Sequence, residues 1–187
     1  MQPAERELVL HHLAASRERL IEAVAGLSAE QRSFRPAEDR WSVADCVEHL
    51  TLVEAFVYGQ MQRVLATAPD AAKKPEVQGK SQVILEHVPT RNRKVKGPAP
   101  VMPTGRWAVF EDLLREFEAV RERTTHFAAD TQADLESHFF PHPILGDLDC
   151  YQWLLFLGTH CERHVRQLEE VKAEACFPNS SSAAQVV

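Results

Sequence analysis

Residues 153–164 read Trp153-Leu154-Leu155-Phe156-Leu157-Gly158-Thr159-His160-Cys161-Glu162-Arg163-His164, and their spacing decides the fold. Between about 149 and 174 an inward stripe runs through Trp153, Leu157, His160, His164, Leu168 and Val171, in steps of 4, 3, 4, 4 and 3. Such steps keep side chains on one face of an α-helix, whereas a half-buried strand would alternate every second residue. Glu162, Arg163, Arg166, Glu169 and Lys172 fall mainly on the other faces. The segment is therefore predicted to be a helix whose buried seam carries two imidazoles. Burying a polar ring without a partner costs roughly 1–3 kcal/mol, so the pair requires hydrogen bonds or a metal ion. Side chains four apart project to the same side and can share an ion. The run His160-Cys161-Glu162-Arg163-His164 is not the His-Glu-x-x-His pattern of zincins, and the glutamate that would act as base is missing from it.

Upstream, three more segments carry helical periodicity. Leu10, Leu13, Leu20, Val24 and Leu27 predict a first helix over about 4–26, with one further turn capped by Ser28 before Pro36. Ser42 with Asp45 three residues later forms a capping box that starts a second helix, running to about Ala68. His49 lies on this helix with Cys46 at i−3, Val53 at i+4 and Phe56 at i+7, on a face that looks inward, and is the candidate third metal ligand. Thr104 is expected to cap a third helix with an inward stripe of Trp107, Phe110, Leu114, Phe117, Val120, Thr124 and Phe127, ending near Ala129. Pro141 to Gly146 reads as a turn, and Asp149 with Gln152 caps the last helix.

Residues 69–104 hold six of the eleven prolines and more basic than acidic side chains, which marks a long crossover between the second and third helices. It is expected to carry a short helix or extended piece around Gln82 to His87, with its basic side chains in solvent. The pattern as a whole predicts an all-α four-helix bundle as one domain over 1–174, followed by a disordered tail over 175–187. Facing helices of such bundles build metal sites from inward side chains, which is where His49, His160 and His164 fall.

Composition narrows the function classes. A chain of 187 residues with 44% hydrophobic residues is long enough for one sizeable core, and a net charge of −6 disfavours nonspecific nucleic-acid binding. No apolar stretch approaches a membrane span, and the start Met1-Gln2-Pro3-Ala4-Glu5-Arg6 lacks a secretory layout, so a cytoplasmic location is expected. Cys46, Cys150, Cys161 and Cys176 show no Cys-x-x-Cys spacing and are expected to be reduced. Cys46 is read as a small packing residue, with a fourth ligand or nucleophile as the alternative. His142, between Pro141 and Pro143, either lines the mouth of a site or hydrogen-bonds its loop. Gln167, three residues past His164, is either a partner for that ring or exposed. His11, His12, His87, His126 and His138 have no partner at ligand spacing and are expected at the surface or in loops.

Three stretches together resemble the DinB-like superfamily over about residues 5–173: Arg40-Trp41-Ser42-Val43-Ala44-Asp45-Cys46-Val47-Glu48-His49-Leu50, then His142-Pro143-Ile144-Leu145-Gly146-Asp147-Leu148, then His160-Cys161-Glu162-Arg163-His164-Val165-Arg166-Gln167. The resemblance implies a four-helix bundle and a metal triad of His49, His160 and His164, taking zinc or nickel, with manganese or iron as alternatives. It also implies a homodimer acting on a small molecule. Relatives that conjugate low-molecular-weight thiols such as bacillithiol or mycothiol suggest a thiol-dependent S-transferase, with Trp153, Phe156 and Phe56 as apolar walls. A metal-dependent hydrolase, or a non-enzymatic metal-binding or dimerisation bundle, is the alternative. Glu48 and Glu162 point about 100° away from the ligands beside them in sequence, so neither is read as a ligand and no general base is identified.

Overall fold

The computed structural model describes residues 1–91 and 97–179. In chain order the elements are α1 (Pro3–Val24), α2 (Ala29–Ser33), α3 (Val43–Leu65), α4 (Lys74–Val77), α5 (Lys80–His87), α6 (Phe110–Asp130), β1 (Phe139–His142), β2 (Gly146–Asp149) and α7 (Cys150–Lys172), with short 3-10 turns between them. The four long helices α1, α3, α6 and α7 form the bundle. Helix α1 packs on α6 and α7, and α3 packs on the same two, so α1 and α3 lie diagonally opposite. Among the described residues no helix is long and apolar enough to cross a membrane.

Local sequence sets the helix starts. Ser42 Oγ accepts from Asp45 N at 3.1 Å while Asp45 Oδ2 accepts from Ser42 N at 2.8 Å. Asp149 and Gln152 repeat this at α7, and Ser28 and Gln31 at α2. Each reciprocal pair satisfies two amides that the first helical turn leaves open. The predicted α7 stripe is buried apart from the partly exposed His160, with Trp153 at 4% exposure and Leu168 at 0%. Yet the first half of α7, from Cys150 to Thr159, is buried on every face. The hairpin and α5 cover the sides that α1 and α3 leave open.

Two apolar clusters fill the bundle. One gathers Leu13, Val57, Met61, Leu154 and Leu155; the other gathers Leu20, Val47, Leu50, Phe117, Cys161 and Leu168. At their border sits a charged layer. Arg121 donates from Nε to both oxygens of Glu54 at 2.8 and 2.9 Å, and its remaining nitrogens reach Glu54 Oε2 and Leu13 O at 2.8 Å and Ser16 Oγ at 2.9 Å. Both side chains are within 2% of full burial. Cys161 Sγ donates to Ser16 O at 3.5 Å, so all four long helices meet at this level.

Several expectations are corrected. The third long helix begins at Phe110, six residues past Thr104: Gly105 takes a positive φ of 74°, and the amides of Thr104, Gly105 and Arg106 point at Glu48 instead of opening a helix. The turn at Pro141 to Gly146 is the tip of an antiparallel hairpin pairing Phe139 with Asp149 and Phe140 with Leu148. The crossover is fastened to the bundle. Lys80 Nζ donates to Leu145 O at 2.9 Å and Asp147 O at 2.7 Å, Lys73 pairs with Asp147, and Ile84 is fully buried. The helix expected near Gln82 to His87 is α5, starting two residues earlier. Arg93, Lys94 and Lys96 lie outside the described residues. The tail is docked at least as far as Pro178: Phe177 packs edge-on against Phe34 at 5.6 Å, and Gln31 Nε2 donates to Pro178 O at 2.9 Å. Residues 180–187 lie outside the described residues.

Two glycines separate packing from propensity. A Cβ on Gly158 would stand 2.7 Å from His12 Cβ and 3.0 Å from the His12 carbonyl carbon, so this residue sets how closely α7 crosses α1. A Cβ on Gly59 of α3 meets nothing within 4 Å. Gly158→Ala is expected to destabilise by about 1–3 kcal/mol through overpacking, and Gly59→Ala to stabilise by about 0.5–1 kcal/mol. Thermal unfolding of the two variants should move in opposite directions. Glu54→Ala, which strands a buried guanidinium, should cost about 3–5 kcal/mol in denaturant titration.

Candidate metal centre

His49 is carried on the second turn of α3, and His160 and His164 stand one turn apart on α7, the helix packed beside it. One nitrogen from each ring lies within 4.8 Å of the others. The ring centroids are 5.2 Å apart for His49 and His160, 4.8 Å for His49 and His164, and 4.5 Å for His160 and His164. The three histidines named from the sequence thus lie together in the structure.

Hydrogen bonding leaves this cluster incomplete. His49 Nδ1 donates to Val101 O at 2.7 Å, which turns the Nε2 lone pair toward the other two rings. His160 and His164 share a single contact, Nε2 to Nε2 at 3.1 Å. Their Nδ1 atoms are buried without a partner among the described residues. Two neutral rings can exchange at most one proton across that contact, so four nitrogens of two interior histidines have one hydrogen bond between them. Two nitrogens bound about 2.0–2.1 Å from one tetrahedral ion stand roughly 3.3–3.4 Å apart, close to the separation found. The donor set and the unpartnered nitrogens fit a divalent ion, and His49, His160 and His164 are the residues that could hold it.

Burial keeps the rings in the ligand form. The proton affinity of His49 is lowered by desolvation, partly offset by the Val101 carbonyl. Desolvation lowers His160 and His164 much further, and each is depressed again by the neighbouring histidines and by Arg163. Neutral imidazole is the species that coordinates metal.

The walls are aromatic. Trp41 stacks on His164 at 5.8 Å and lies 4.8 Å from His49, and Phe156 stacks on His160 at 4.8 Å. Of the three expected walls only Phe156 touches the triad. Trp153 stands one layer back, stacked on Phe140 at 4.4 Å with its indole N–H on the Phe140 carbonyl. Phe56 is 40% exposed: seven residues keep it on nearly the same face as His49 but carry it almost two turns, about 10 Å, along α3 from the level of the triad. Trp41 was legible only as part of the quoted Trp-Ser motif, since it precedes α3 and follows no period.

The remaining candidates fall into place. Glu48 is 3% exposed and accepts backbone amides of Thr104 and Gly105 at 2.9 Å and of Arg106 at 3.3 Å, so it is spent on the crossover. Glu162 pairs with Arg19 and Arg166. Gln167 accepts from Arg91 at 2.7 Å and leaves His164 Nδ1 unpartnered. Cys46 is fully buried among apolar side chains, and burial pushes its thiol well above the ordinary range, which fits packing. All four cysteines are free. Of the other histidines, His138 lies in the loop before β1 as expected, but it is buried there, 8% exposed and bridging the carbonyls of Asp134 and Thr67. Val101 and Gly97 were invisible to sequence reasoning. The first acts through its carbonyl, and a Cβ on the second would stand 3.3 Å from His49 Cε1.

A four-helix bundle with three imidazoles converging between two neighbouring helices defines the class. The sequence model of the DinB superfamily matches residues 12–168, and the chain belongs to that superfamily. It is similar to the uncharacterized protein YuaE of Bacillus subtilis (strain 168), 28% identical over 149 residues that cover 79% of this chain and 86% of that one. Its fold is similar to that of YfiT from Bacillus subtilis, described as a probable metal-dependent hydrolase with an unusual four-helix bundle topology, with a TM-score of 0.63, 16% identity, and coverage of 92% of this chain and 88% of that one.

His142 gives the site an acid-sensitive neighbour. Burial pushes its imidazole down to about 4, against about 6.5 in an unfolded chain. Between those values the unfolded chain binds the extra proton, so stability is lost as pH falls from about 6.5 toward 4. Metal-free protein should melt at progressively lower temperature over that window, and His142→Asn should flatten the fall.

Proposed function

We propose that the chain is a metal-dependent enzyme in which His49, His160 and His164 hold one zinc or nickel ion, with manganese or iron as poorer occupants, and that it transfers a low-molecular-weight thiol to a small apolar electrophile. The reading is carried by the convergence of three imidazoles with no carboxylate among them. An all-nitrogen set suits zinc and nickel better than manganese, which prefers oxygen ligands. Three protein ligands leave a coordination position open, and an ion held there lowers the proton affinity of a thiol or water in that position.

The surrounding side chains favour the thiol. Hydrolysis in the His-Glu-x-x-His enzymes uses a glutamate to take the proton of the attacking water, and the two glutamates nearest the ligands in sequence are engaged elsewhere, Glu48 with the crossover amides and Glu162 with two arginines. A thiol has only one proton to lose, and solvent can accept it. Sulfur then bonds to the electrophilic carbon as the leaving group departs with its electron pair. Trp41 and Phe156 offer that electrophile aromatic surfaces. Hydrolysis is the second reading, favoured by the similarity of the fold to that of YfiT. Action in the cytoplasm as a homodimer belongs to the same proposal and rests on the family resemblance.

Protein loaded with zinc or nickel should retain about one ion per chain, and His160→Ala should weaken retention by at least about 100-fold, beyond what loss of an outer partner costs. Loaded protein should then consume a chromogenic aryl halide only when bacillithiol, mycothiol or a comparable thiol is present. Metal content indifferent to the substitution defeats the site. Ester turnover without any thiol transfers the conclusion to the hydrolase.

A further inference from the structure

His142 is the one histidine near the triad that the proposed metal site does not use. It ends β1, and its Nδ1 accepts the amides of both Ile144 and Leu145 at 3.1 Å. An imidazole nitrogen that accepts carries no proton, so in the neutral ring the hydrogen is fixed on Nε2. Among the described residues that Nε2 makes no hydrogen bond, and it is absent from the buried unpartnered atoms. The ring therefore presents a donor of settled tautomer that is not fully buried.

Its position is equally determined. The ring packs on Phe156 at 4.8 Å and on Trp153 at 5.4 Å, and the same Phe156 stacks on His160 at 4.8 Å. One aromatic ring separates His142 from a proposed ligand. The hairpin that carries it is fastened on one side by Trp153, stacked on Phe140, and on the other by Lys80, which holds the carbonyls of Leu145 and Asp147. A loop fastened on both sides holds the His142 ring at a fixed height, one aromatic ring from His160, with little ordering cost when a ligand arrives.

We propose that His142 is a substrate-binding residue that donates its Nε2–H to an acceptor atom carried by the molecule seated at the open metal position. The proposal rests on the metal site formed by His49, His160 and His164, and it adds a specificity: ligands bearing a carbonyl or similar acceptor close to their metal-binding atom are preferred over plain alkyl ones.

The test uses full-length protein loaded with cobalt(II), whose visible spectrum reports both metal uptake and the binding of a thiol. Methyl thioglycolate, which carries a carbonyl two bonds from sulfur, is titrated beside 1-propanethiol, which carries none. Wild type should bind the ester thiol about three- to tenfold more tightly, the ratio one net hydrogen bond supplies. His142→Asn keeps an acceptor for the two loop amides but withdraws the distal nitrogen. It should take up cobalt normally, bind 1-propanethiol as wild type does, and lose the preference. His142→Gln, which restores an N–H near the position of Nε2, should recover part of it. A preference retained in His142→Asn, or lost together with 1-propanethiol binding, overturns the proposal while leaving the metal site standing. Failure of wild type to take up cobalt defeats the metal site and the proposal with it.

Discussion

The arrangement depends on a guanidinium that has been taken wholly out of water. Arg121 of α6 finds its charge partner in Glu54 of α3 and its remaining acceptors on Leu13 and Ser16 of α1. Such a pair adds little net stability compared with apolar packing, because desolvation offsets much of the attraction. It is far more restrictive, since a shift of any helix by one turn would strand a buried charge. Through Ser16 the constraint extends to Cys161 on α7. His49 lies five residues before Glu54 and His160 immediately before Cys161. The layer that fixes the helices against one another therefore also fixes the height at which the imidazoles of α3 and α7 face each other.

What could be read from the chain follows from how far each signal reaches. Helical periodicity and capping boxes are local, and they placed α1, α3 and α7 to within a few residues. The histidine cluster was legible because two of its members share one helix and the third sits on another helix whose inward face is plain from Cys46 and Val53. Phe56 failed as a wall because a residue two turns along the same face stands about 10 Å from the level of the imidazoles. Thr104 failed as a cap because its amide is claimed by Glu48, a residue 56 positions away. The hairpin was missed because four-residue strands interrupted by Pro141 give no clear alternation. At Thr104 a long-range partner overrode a local preference.

Around the three rings, hydrogen-bond supply and demand do not balance, and the shortfall falls on atoms shielded from solvent. Elsewhere in the same interior polar atoms are matched closely, as with Arg121, Gln152 and Trp153. Among the described residues the buried unpartnered side-chain atoms are Nε of Arg32, whose guanidinium still pairs with Glu111, and the two Nδ1 atoms of the cluster, where chemistry is to be expected.

The crossover is gripped above the histidines by peptide groups: the carbonyl of Val101 on His49, and the amides of residues 104–106 on Glu48. Every amino acid supplies the same carbonyl, and all but proline the same amide. The instructions for attaching residues 104–106 are consequently written on α3, leaving those three positions nearly free to drift in side-chain identity, apart from the glycine their left-handed turn prefers. A scaffold built this way can vary part of the segment over its histidines without renegotiating its foundations.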